Sequence, residues 1–384
     1  MYTSHINNIH VEVTDRCNAE CPVCPRSLGG GHEMPYVKNQ ELGLDYFKLI
    51  DKVFLSRIEH WNFCGVKGDP ASAQELFEIL DYILDCNPLT QIDIRTNGGA
   101  RNEKFWTKVG ERLKGTNGQV VWSVDGWEHT NHIYRRNVKW SKLFANMNSY
   151  IDTGADSRWE FNKFQHNIQD LGTIRNFCRV RNIHLDVREP YGFSVVTEVV
   201  TNQLGKTDRQ ERDLHGVDGK LNNEHSKIKS IPVYKRGEDD TSILEYTIKP
   251  HDVPKSEIID KHKPIEHGAL SWEPGVYDIG EFTKYKNTTQ DILCKALDDT
   301  QEIYIDSNGM IFPCCYTAGK FLMGDEQINT MIRPYKRQMR LSEEFGIYDV
   351  LKLDLFKKVM PDGMDGSLDD KNGYCITCVQ HCGK

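Results

Sequence analysis

The first half of the chain alternates about six times between short β-rich runs and longer amphipathic stretches. Strands that alternate with helices form βα units, and such units build a parallel sheet. The predicted strands are Asn8–Val13, Ile58–Cys64, Gln91–Thr96, Val120–Asp125, Arg158–Phe164 and Ile183–Val187. The predicted helices between them include Leu44–Leu55, Ala73–Cys86, Asn102–Leu113 and Ile168–Arg181. Six units predict an α/β fold with a partial, open (β/α)6 barrel, whose chemistry lies at the C-terminal ends of the strands.

The second half changes character twice. Residues 201–273 are dense in Lys, Asp, Glu, His and Asn and have few sustained apolar runs. This composition favours a solvated insertion or connector, with a lid or substrate-docking element as the alternative. Apolar residues and cysteines return after residue 273. We therefore expect a barrel over 1–200, a polar insertion over 201–273 and a small cysteine-rich domain over 274–384.

Composition and charge exclude several function classes. The chain has 384 residues and a formal net charge of −8, which argues against general nucleic-acid binding. No run approaches the roughly 18–20 apolar residues that a membrane span requires. The N-terminal residues lack the apolar stretch of a secretory signal. A cytoplasmic protein with no membrane association is expected.

The twelve cysteines are distributed unevenly along the chain. In a cytoplasmic protein, clustered cysteines are more often metal ligands than disulfides. Three of them, Cys17, Cys21 and Cys24, follow directly on the first predicted strand. Three thiolates from one short loop bind three irons of a four-iron cluster and leave the fourth iron open, as a catalytic metal site needs. Zinc is the main alternative, although zinc sites normally draw their ligands from two pairs.

The spacing Cys17-x3-Cys21-x2-Cys24 resembles the signature of the radical S-adenosylmethionine (SAM) superfamily. The resemblance implies a [4Fe-4S] cluster whose open iron chelates the amino and carboxylate groups of SAM. One electron then cleaves SAM to a 5′-deoxyadenosyl radical that abstracts hydrogen from a substrate. The cofactors supply this chemistry, while the protein supplies orientation and excludes water.

Motifs at later strand ends strengthen the resemblance, which covers roughly residues 7–190. Gly68-Asp69-Pro70 is similar to the Gly-Gly-Glu-Pro motif that contacts the SAM amino group. Asp69 replaces the Glu of that motif here, and Lys67 takes the place of its first glycine. The third strand ends in RTNGG, which resembles the family's Thr-Asn-Gly.

The fourth and fifth strands carry the remaining motifs. Ser123 in SVDG, with Arg135 or Arg136 in HxxYRRN, resembles the family pattern in which Ser and Arg hold SAM. Asn167 in FNKFQHN matches a common family ending. An asparagine that simply caps the next helix is the alternative interpretation of Asn167.

A second group of cysteines lies in the last quarter of the chain. The segment IYIDSNGMIFPCC predicts a hairpin, because β-branched and apolar residues flank an Asn-Gly turn. The hairpin would carry its cysteines toward a C-terminal knuckle. Six candidate ligands compete for four positions: Cys294, Cys314, Cys315, Cys375, Cys378 and Cys382.

This spacing resembles the SPASM/Twitch extensions of radical SAM enzymes, which bind auxiliary iron–sulfur clusters. Six cysteines favour the one-cluster, Twitch-like form, with Cys294, Cys314, Cys375 and either Cys378 or Cys382 as ligands. A structural zinc is the alternative, since four thiolates suit zinc equally well. The resemblance also implies a one-electron donor such as flavodoxin or ferredoxin, and a peptide, protein side chain or small biosynthetic intermediate as substrate. A non-catalytic iron–sulfur protein, in electron transfer or sensing, and a zinc-stabilised binding module are the rival functions.

Overall fold

The computed structural model describes residues 6–27, 29–188, 195–201, 207–213, 231–236, 242–248, 294, 296, 301–365, 375, 377 and 378. Within this part of the chain, the strands in chain order are β1 (Asn8–Val11), β2 (His60–Phe63), β3 (Gln91–Thr96), β4 (Asn117–Ser123), β5 (Asp156–Asn162), β6 (His184–Arg188), β7 (Val195–Thr201), β8 (Thr207–Asp213), β9 (Ile231–Arg236), β10 (Ser242–Ile248), β11 (Glu302–Ile305) and β12 (Ile311–Phe312). The main helices are α1 (Leu44–Lys48), α2 (Lys52–Leu55), α3 (Leu76–Cys86), α4 (Glu103–Leu113), α5 (Asn131–Tyr134), α6 (Trp140–Ile151), α7 (Leu171–Val180), α8 (Cys315–Leu322), α9 (Glu326–Ile332), α10 (Ile347–Leu351) and α11 (Met360–Asp365).

Eight of these strands form one sheet, in the order β12-β11-β1-β2-β3-β4-β5-β6. Strands β1 to β6 are all parallel and stand in chain order, with helices in the connections between them. The prediction of an α/β fold with an open, partial barrel is therefore confirmed. The carboxyl ends of six parallel strands meet at one edge of this sheet.

The C-terminal hairpin belongs to the same sheet. Strand β11 lies parallel to β1, with Asn8 opposite Glu302, and β12 returns antiparallel to β11. The hairpin predicted around the Asn-Gly turn is thus confirmed, and Gly309 has a φ of 77° there. Its parallel attachment to β1 was not predicted, because register between distant segments leaves no local pattern.

Two helix predictions need correction. The stretch Leu44–Leu55 is not one helix but two, because the Asp51 carboxylate accepts a hydrogen bond from Phe54 N at 2.9 Å and starts α2. The stretch Ile168–Arg181 begins as a 3-10 turn over Ile168–Asp170 before α7. Helix α6 was absent from the predicted set. None of the helices described is both long and apolar enough to cross a membrane.

The apolar core lies between the sheet and the helices that cover its outer face. Residues of β3 alternate, so that Ile92 and Ile94 are fully buried there. Four tryptophans are also buried in this layer: Trp61, Trp106, Trp122 and Trp159. The opposite, inner face is polar, and Arg95 on β3 donates to Asn62 Oδ1 on β2 at 2.9 Å and pairs with Glu160 on β5. The barrel therefore has a polar interior that ends at the same edge as the strand termini.

A buried ion pair joins three strands at that edge. Lys67 Nζ lies 3.2 Å from Glu12 Oε2, and both side chains are fully buried. The other oxygen of Glu12 accepts from the amides of Lys67 at 2.6 Å and Gly68 at 3.1 Å. Lys67 Nζ also donates to Ser307 Oγ at 3.2 Å, in the turn after β11. Lys67 therefore fixes the end of β1 against the loop after β2 and the turn after β11.

We predict that Glu12→Gln destabilises the protein by about 3–5 kcal/mol, because the amide keeps the backbone hydrogen bonds but leaves the Lys67 ammonium buried without a counter-charge. Urea unfolding of the purified variant measures the loss. The double variant Glu12→Gln/Lys67→Met should recover most of it. Lys48→Ala, which removes an exposed ion pair with Asp45, is the control and should unfold like the wild type. A Glu12→Gln variant as stable as the wild type would contradict this account.

Candidate active site at the carboxyl edge of the sheet

The three cysteines of the N-terminal motif lie in the loop that follows β1. Cys21 is buried, and Cys17 and Cys24 are half-buried. The loop is compact, since Cys24 N donates to Cys21 O at 3.1 Å and Ala19 N donates to Cys17 Sγ at 3.4 Å. The three thiols share one electrostatic environment, because the charges of Cys21 and Cys24 act on the pKa of Cys17.

Burial is the largest influence on all three thiols. It raises the pKa of Cys17 well above its usual value, and the charges of Asp69, Cys21 and Cys24 raise it further. It raises the pKa of Cys24 to about 12, with Cys21 adding to the effect. The pKa of Cys21 is also raised by burial, although Arg135 opposes the shift. Reactive cysteines have lowered pKa values, so this triplet lacks the signature of an exposed nucleophile.

Each sulfur faces the loop of a different strand. Asn97 Nδ2, just after β3, lies 3.6 Å from Cys17 Sγ. Arg135 Nη1, just after α5, lies 3.7 Å from Cys21 Sγ. The Cys24 thiol points to Val66 O, after β2, at 3.9 Å. The cysteine loop is therefore held over the carboxyl edge by the loops that follow its neighbouring strands.

Asp69 connects two of those loops. Its carboxylate accepts from Thr96 Oγ1 at 3.0 Å, from Asn97 N at 2.8 Å, from Asn97 Nδ2 at 2.7 Å and from Ala71 N at 3.0 Å. Burial raises the pKa of Asp69, while the hydrogen bonds from Asn97, Ala71 and Thr96 act in the opposite direction. Because Asp69 accepts hydrogen bonds from both the backbone amide and the side-chain amide of Asn97, it orients the Asn97 side chain toward the cysteine loop.

The residues on either side of Asp69 fit the same close approach. A Cβ at Gly68 would lie 1.7 Å from Thr14 O, so only glycine fits beneath the cysteine loop. Asp69 N donates to Arg16 O at 2.9 Å. Pro70 opens the 3-10 turn Pro70–Ser72, which Asp69 caps. The Gly-Asp-Pro motif is thus a contact surface for the loop that carries the cysteines.

Arg135 is half-buried and forms an ion pair with the fully buried Asp125 beside Cys21. Its Nε donates to Asp125 Oδ2 at 2.6 Å. Burial alone would lower the pKa of Arg135, but the charges of Asp125 and Cys21 hold it well above its usual value. Ser123, half-buried at the end of β4, stands two residues before Asp125. A permanent cation therefore faces the sulfur of Cys21.

Arg136 points in another direction. Its guanidinium donates to Gly30 O at 3.0 Å and to Tyr234 O, and it pairs with Glu245 Oε2 at 2.7 Å. These partners lie in the cysteine loop and in the β9–β10 hairpin. The two arginines that the sequence could not separate thus differ in their surroundings, since only Arg135 contacts a cysteine sulfur among the contacts described.

Asn167 is fully buried and links the ends of β4 and β5. Its Nδ2 donates to Asp125 O and Asn162 O, both at 2.9 Å, and its Oδ1 accepts from Phe164 N at 2.8 Å. It occupies the position before the 3-10 turn but makes no side-chain capping bond. The helix-cap interpretation of this side chain is therefore wrong.

Four C-terminal cysteines also come together. Cys378 shares a hydrogen bond with Cys375, and the charges of Cys375, Cys314 and Cys294 raise its pKa well above the usual value together with burial. Cys294, Cys375 and Cys378 are buried. Cys382 lies outside the described residues. Of the six candidate cysteines, Cys375, Cys314 and Cys294 thus act electrostatically on Cys378.

Cys315 contacts a histidine on the inner face of the sheet. Burial alone would lower the pKa of His10, but hydrogen bonds with Cys315, Cys64 and Glu302 raise it well above its usual value. His10 Nε2 lies 2.6 Å from Cys64 O. Cys315 and its neighbour Cys314 thus have different surroundings.

The thiols of each group do not meet at a single point. Among the residues described, no three His, Cys, Asp or Glu side chains are placed to hold one metal ion. A four-iron cluster does not need such a point, because each thiolate binds a different iron.

Two residues of the site were not among the predicted ligands. Asn97 and Asp125 contact the cysteine loop and Arg135, respectively. Both stand in quoted motifs, RTNGG and SVDG, at the ends of predicted strands. Position after a strand was the available signal, whereas their partners depend on how the loops fold over the edge.

No protein-family model and no curated protein sequence matches the chain. Among solved structures, SuiB of Streptococcus suis, bound to the precursor peptide SuiA, is 13% identical, with 97% of this chain and 72% of that chain covered and a TM-score of 0.49. The protein anSMEcpe with bound AdoMet is 10% identical, with coverages of 97% and 95% and a TM-score of 0.44. BtrN in complex with AdoMet and 2-DOIA is 14% identical, with coverages of 96% and 92% and a TM-score of 0.40.

These three neighbours are radical SAM enzymes.

We predict a pH-dependent loss of stability that originates at His166, in the loop after β5. Burial, with the nearby His132, lowers the pKa of His166 to about 4. Between about pH 6.5 and about pH 4, His166 is therefore protonated in the unfolded chain but neutral in the folded state. The free energy of unfolding falls as the pH falls through this range. His166→Gln removes this dependence, so the stability difference between wild type and variant should shift by about 3 kcal/mol over that window in urea unfolding.

His166→Asn separates the effect of packing from the effect of titration. Its stability difference from the wild type should have a different pH-independent size but the same pH dependence as that of His166→Gln. Curves for wild type and both variants that run parallel from pH 7 to pH 4 would contradict the assignment.

Proposed function

We propose that this chain is a radical SAM enzyme: it binds a [4Fe-4S] cluster through Cys17, Cys21 and Cys24, reductively cleaves SAM and abstracts hydrogen from a substrate. The observation that carries the proposal is that one buried and two half-buried thiols from a single loop lie at the carboxyl edge of a parallel sheet. Each thiol contacts the loop of a different strand, at 3.6 Å, 3.7 Å and 3.9 Å.

The residues fit an iron–sulfur cluster in charge as well as in position. The three thiols, with their raised pKa values, are neutral by themselves, and metal ions would lower those pKa values by binding the thiolate form. Arg135 adds a fixed positive charge beside Cys21. Hydrogen bonds to cluster sulfurs also tune reduction potentials, and Asn97 and Arg135 are placed to donate them.

Cys17, Cys21 and Cys24 would hold such a cluster, which would supply the one-electron chemistry that cleaves SAM reductively. The protein's own residues then have separate tasks. Asp69 fixes Asn97, and Asp125 fixes Arg135, so both donors face the cysteine loop without free rotation. Asn167 holds the β4 and β5 ends together. Gly68, Asp69, Pro70, Ser123 and Arg135 remain the proposed SAM-binding surface.

We further propose an auxiliary [4Fe-4S] cluster on Cys294, Cys314, Cys375 and Cys378. The influence of Cys375, Cys314 and Cys294 on the thiol of Cys378 supports including Cys378 in this set. Cys382, the alternative ligand, lies outside the described residues. The domain boundaries 1–200, 201–273 and 274–384 belong to the same proposal. A flavodoxin or ferredoxin would supply electrons, and oxygen-sensitive cofactors of this kind suit a cytoplasmic enzyme.

The substrate is proposed to be a peptide or protein side chain, or a small biosynthetic intermediate. The polar inner face of the sheet supports a substrate with hydrogen-bonding groups. Arg95 and Glu160 face one another there, with Arg188 lying 2.8 Å from Glu160.

We predict that anaerobically reconstituted protein, incubated with SAM and dithionite, forms 5′-deoxyadenosine, and that Cys21→Ala abolishes its formation. Removing one thiolate leaves an iron without its protein ligand. Mass spectrometry measures the product, and Cys86→Ala, a half-buried thiol at the end of α3, is the matched control. A wild type that binds iron and SAM but never forms the product, even with substrates supplied, would favour the electron-transfer alternative.

We predict about eight irons per chain in the wild type and about four in Cys375→Ala, since each cluster contains four. Iron and sulfide analysis after anaerobic purification measures both. Cys375→Ala should keep SAM binding, because the cysteine loop is untouched. Four irons in the wild type would contradict the auxiliary cluster, and zinc in place of iron would contradict the whole proposal.

A further inference from the structure

The segment Arg135–Asn137 is hydrogen-bonded to the cysteine loop at several points. Arg136 O accepts from Glu20 N at 3.0 Å, one residue before Cys21. Asn137 Nδ2 donates to Asn18 O at 2.9 Å, and Arg136 Nη1 donates to Gly30 O at 3.0 Å. We call this segment, residues 135–137, the clasp. It holds the loop within the cysteine motif, at Asn18 and Glu20, and beyond the motif, at Gly30.

Gly30 shows how closely the clasp and the loop approach each other. Its φ is 81°, and a Cβ there would lie 2.5 Å from Glu20 O and 2.9 Å from Arg136 Nη1. The loop therefore folds back on itself directly under the Arg136 side chain. If Arg136 moved away, the turn at Gly30 would lose one of the two groups that pack closely against it.

The β9–β10 hairpin completes the arrangement from the far side. Glu245 Oε2 lies 2.7 Å from Arg136 Nη2, and Tyr234 O accepts from Nη1. Tyr234 N donates to Gly29 O at 2.8 Å, so the edge of β9 binds the cysteine loop itself. The Tyr246 hydroxyl donates to Ile133 O at 2.6 Å, just before the clasp. The hairpin thus contacts the loop directly and also through Arg136.

Burial supports a docked hairpin. Val233 is fully buried and Ile248 is 2% exposed, although both come from the segment 201–273 that composition predicts to be a polar insertion. The side chain of Arg136 is only 12% exposed, and that of Glu245 is 39% exposed. An arginine so enclosed needs a counter-charge, and Glu245 is the carboxylate that the structure describes beside it.

We infer that the β9–β10 hairpin is a positioning element for the cysteine loop and that it acts through Arg136, with Glu245 as the charge that aligns Arg136. Arg136 and Glu245 are thus positioning residues, whereas Arg135 touches the cysteine sulfur itself. The inference rests on the proposed function, because positioning matters there for SAM at the cluster. It assigns to part of the insertion a role in assembling the site.

A double-mutant cycle on Arg136 and Glu245 tests this. The variants are Arg136→Ala, Glu245→Gln and both together, with Glu245→Asp as the conservative variant and Lys235→Ala, exposed on β9, as the control. Backbone hydrogen exchange of residues 18–30 reports loop order without any cofactor, and SAM affinity of the reconstituted protein reports the site.

We expect Glu245→Gln to speed exchange in residues 18–30 and weaken SAM binding, each about fivefold, as suits a partly exposed ion pair. Adding Glu245→Gln to Arg136→Ala should change neither quantity further, because the two residues act in series. Glu245→Asp should recover part of the loss, and Lys235→Ala should match the wild type.

Two outcomes would overturn the inference. One is a Glu245→Gln variant with wild-type exchange and SAM affinity, while Arg136→Ala weakens SAM binding, which would make Arg136 a direct SAM ligand. The other is additive effects in the double variant, which would make the residues independent. A wild type that binds no cluster would instead defeat the proposed function, while the exchange measurements would still test the positioning role.

Discussion

The buried Glu12 carboxylate fixes the geometry on which the rest of the site depends. It binds the amides of Lys67 and Gly68 and pairs with the Lys67 ammonium, all in the interior. These contacts hold the loop after β2 so close to the end of β1 that only glycine fits at position 68. The cysteine loop rests on that surface. A buried charge pair of this kind adds little net stability compared with apolar packing, but breaking it is costly, so it specifies one arrangement.

The second constraint on the site is the electrostatic environment of its cysteine thiols. The raised pKa values of the three thiols favour their neutral form. Arg135 supplies the opposing charge at Cys21, and Asp125 keeps that cation in place. The same rule appears at the C-terminal group, where a hydrogen bond with Cys375, burial and the charges of three neighbouring thiols raise the pKa of Cys378. Both groups are unfavourable places for thiolates without a positively charged partner, and a metal cluster is the partner we propose.

Sequence patterns predicted the parts of the fold that are local. Strand β3 has the bounds predicted from its β-branched run, Gln91–Thr96, because both its length and its pattern are set by nearest neighbours. The break between α1 and α2 was missed, because one aspartate cap outweighed a continuous helical period. The parallel pairing of β11 with β1 was missed because it joins residues about 300 positions apart.

The site also contains some features that the sequence predicted and others that it did not. The positions of Cys17, Cys21 and Cys24 followed from spacing, and their closeness to strand ends followed from the topology. The separate surroundings of Arg135 and Arg136 did not, since adjacent residues share every sequence signal. Only the folded chain shows that the first faces Cys21 and the second faces Glu245.

The central claim is that the three cysteines leave one iron of a cluster open to SAM. Electron–nuclear double resonance of the reduced protein, with SAM labelled with ¹⁵N at its amino group, tests this directly. A ¹⁵N coupling at the cluster signal, absent from Cys21→Ala, is the predicted result. A reduced cluster with a clear signal and no ¹⁵N coupling in the presence of saturating SAM would contradict the account.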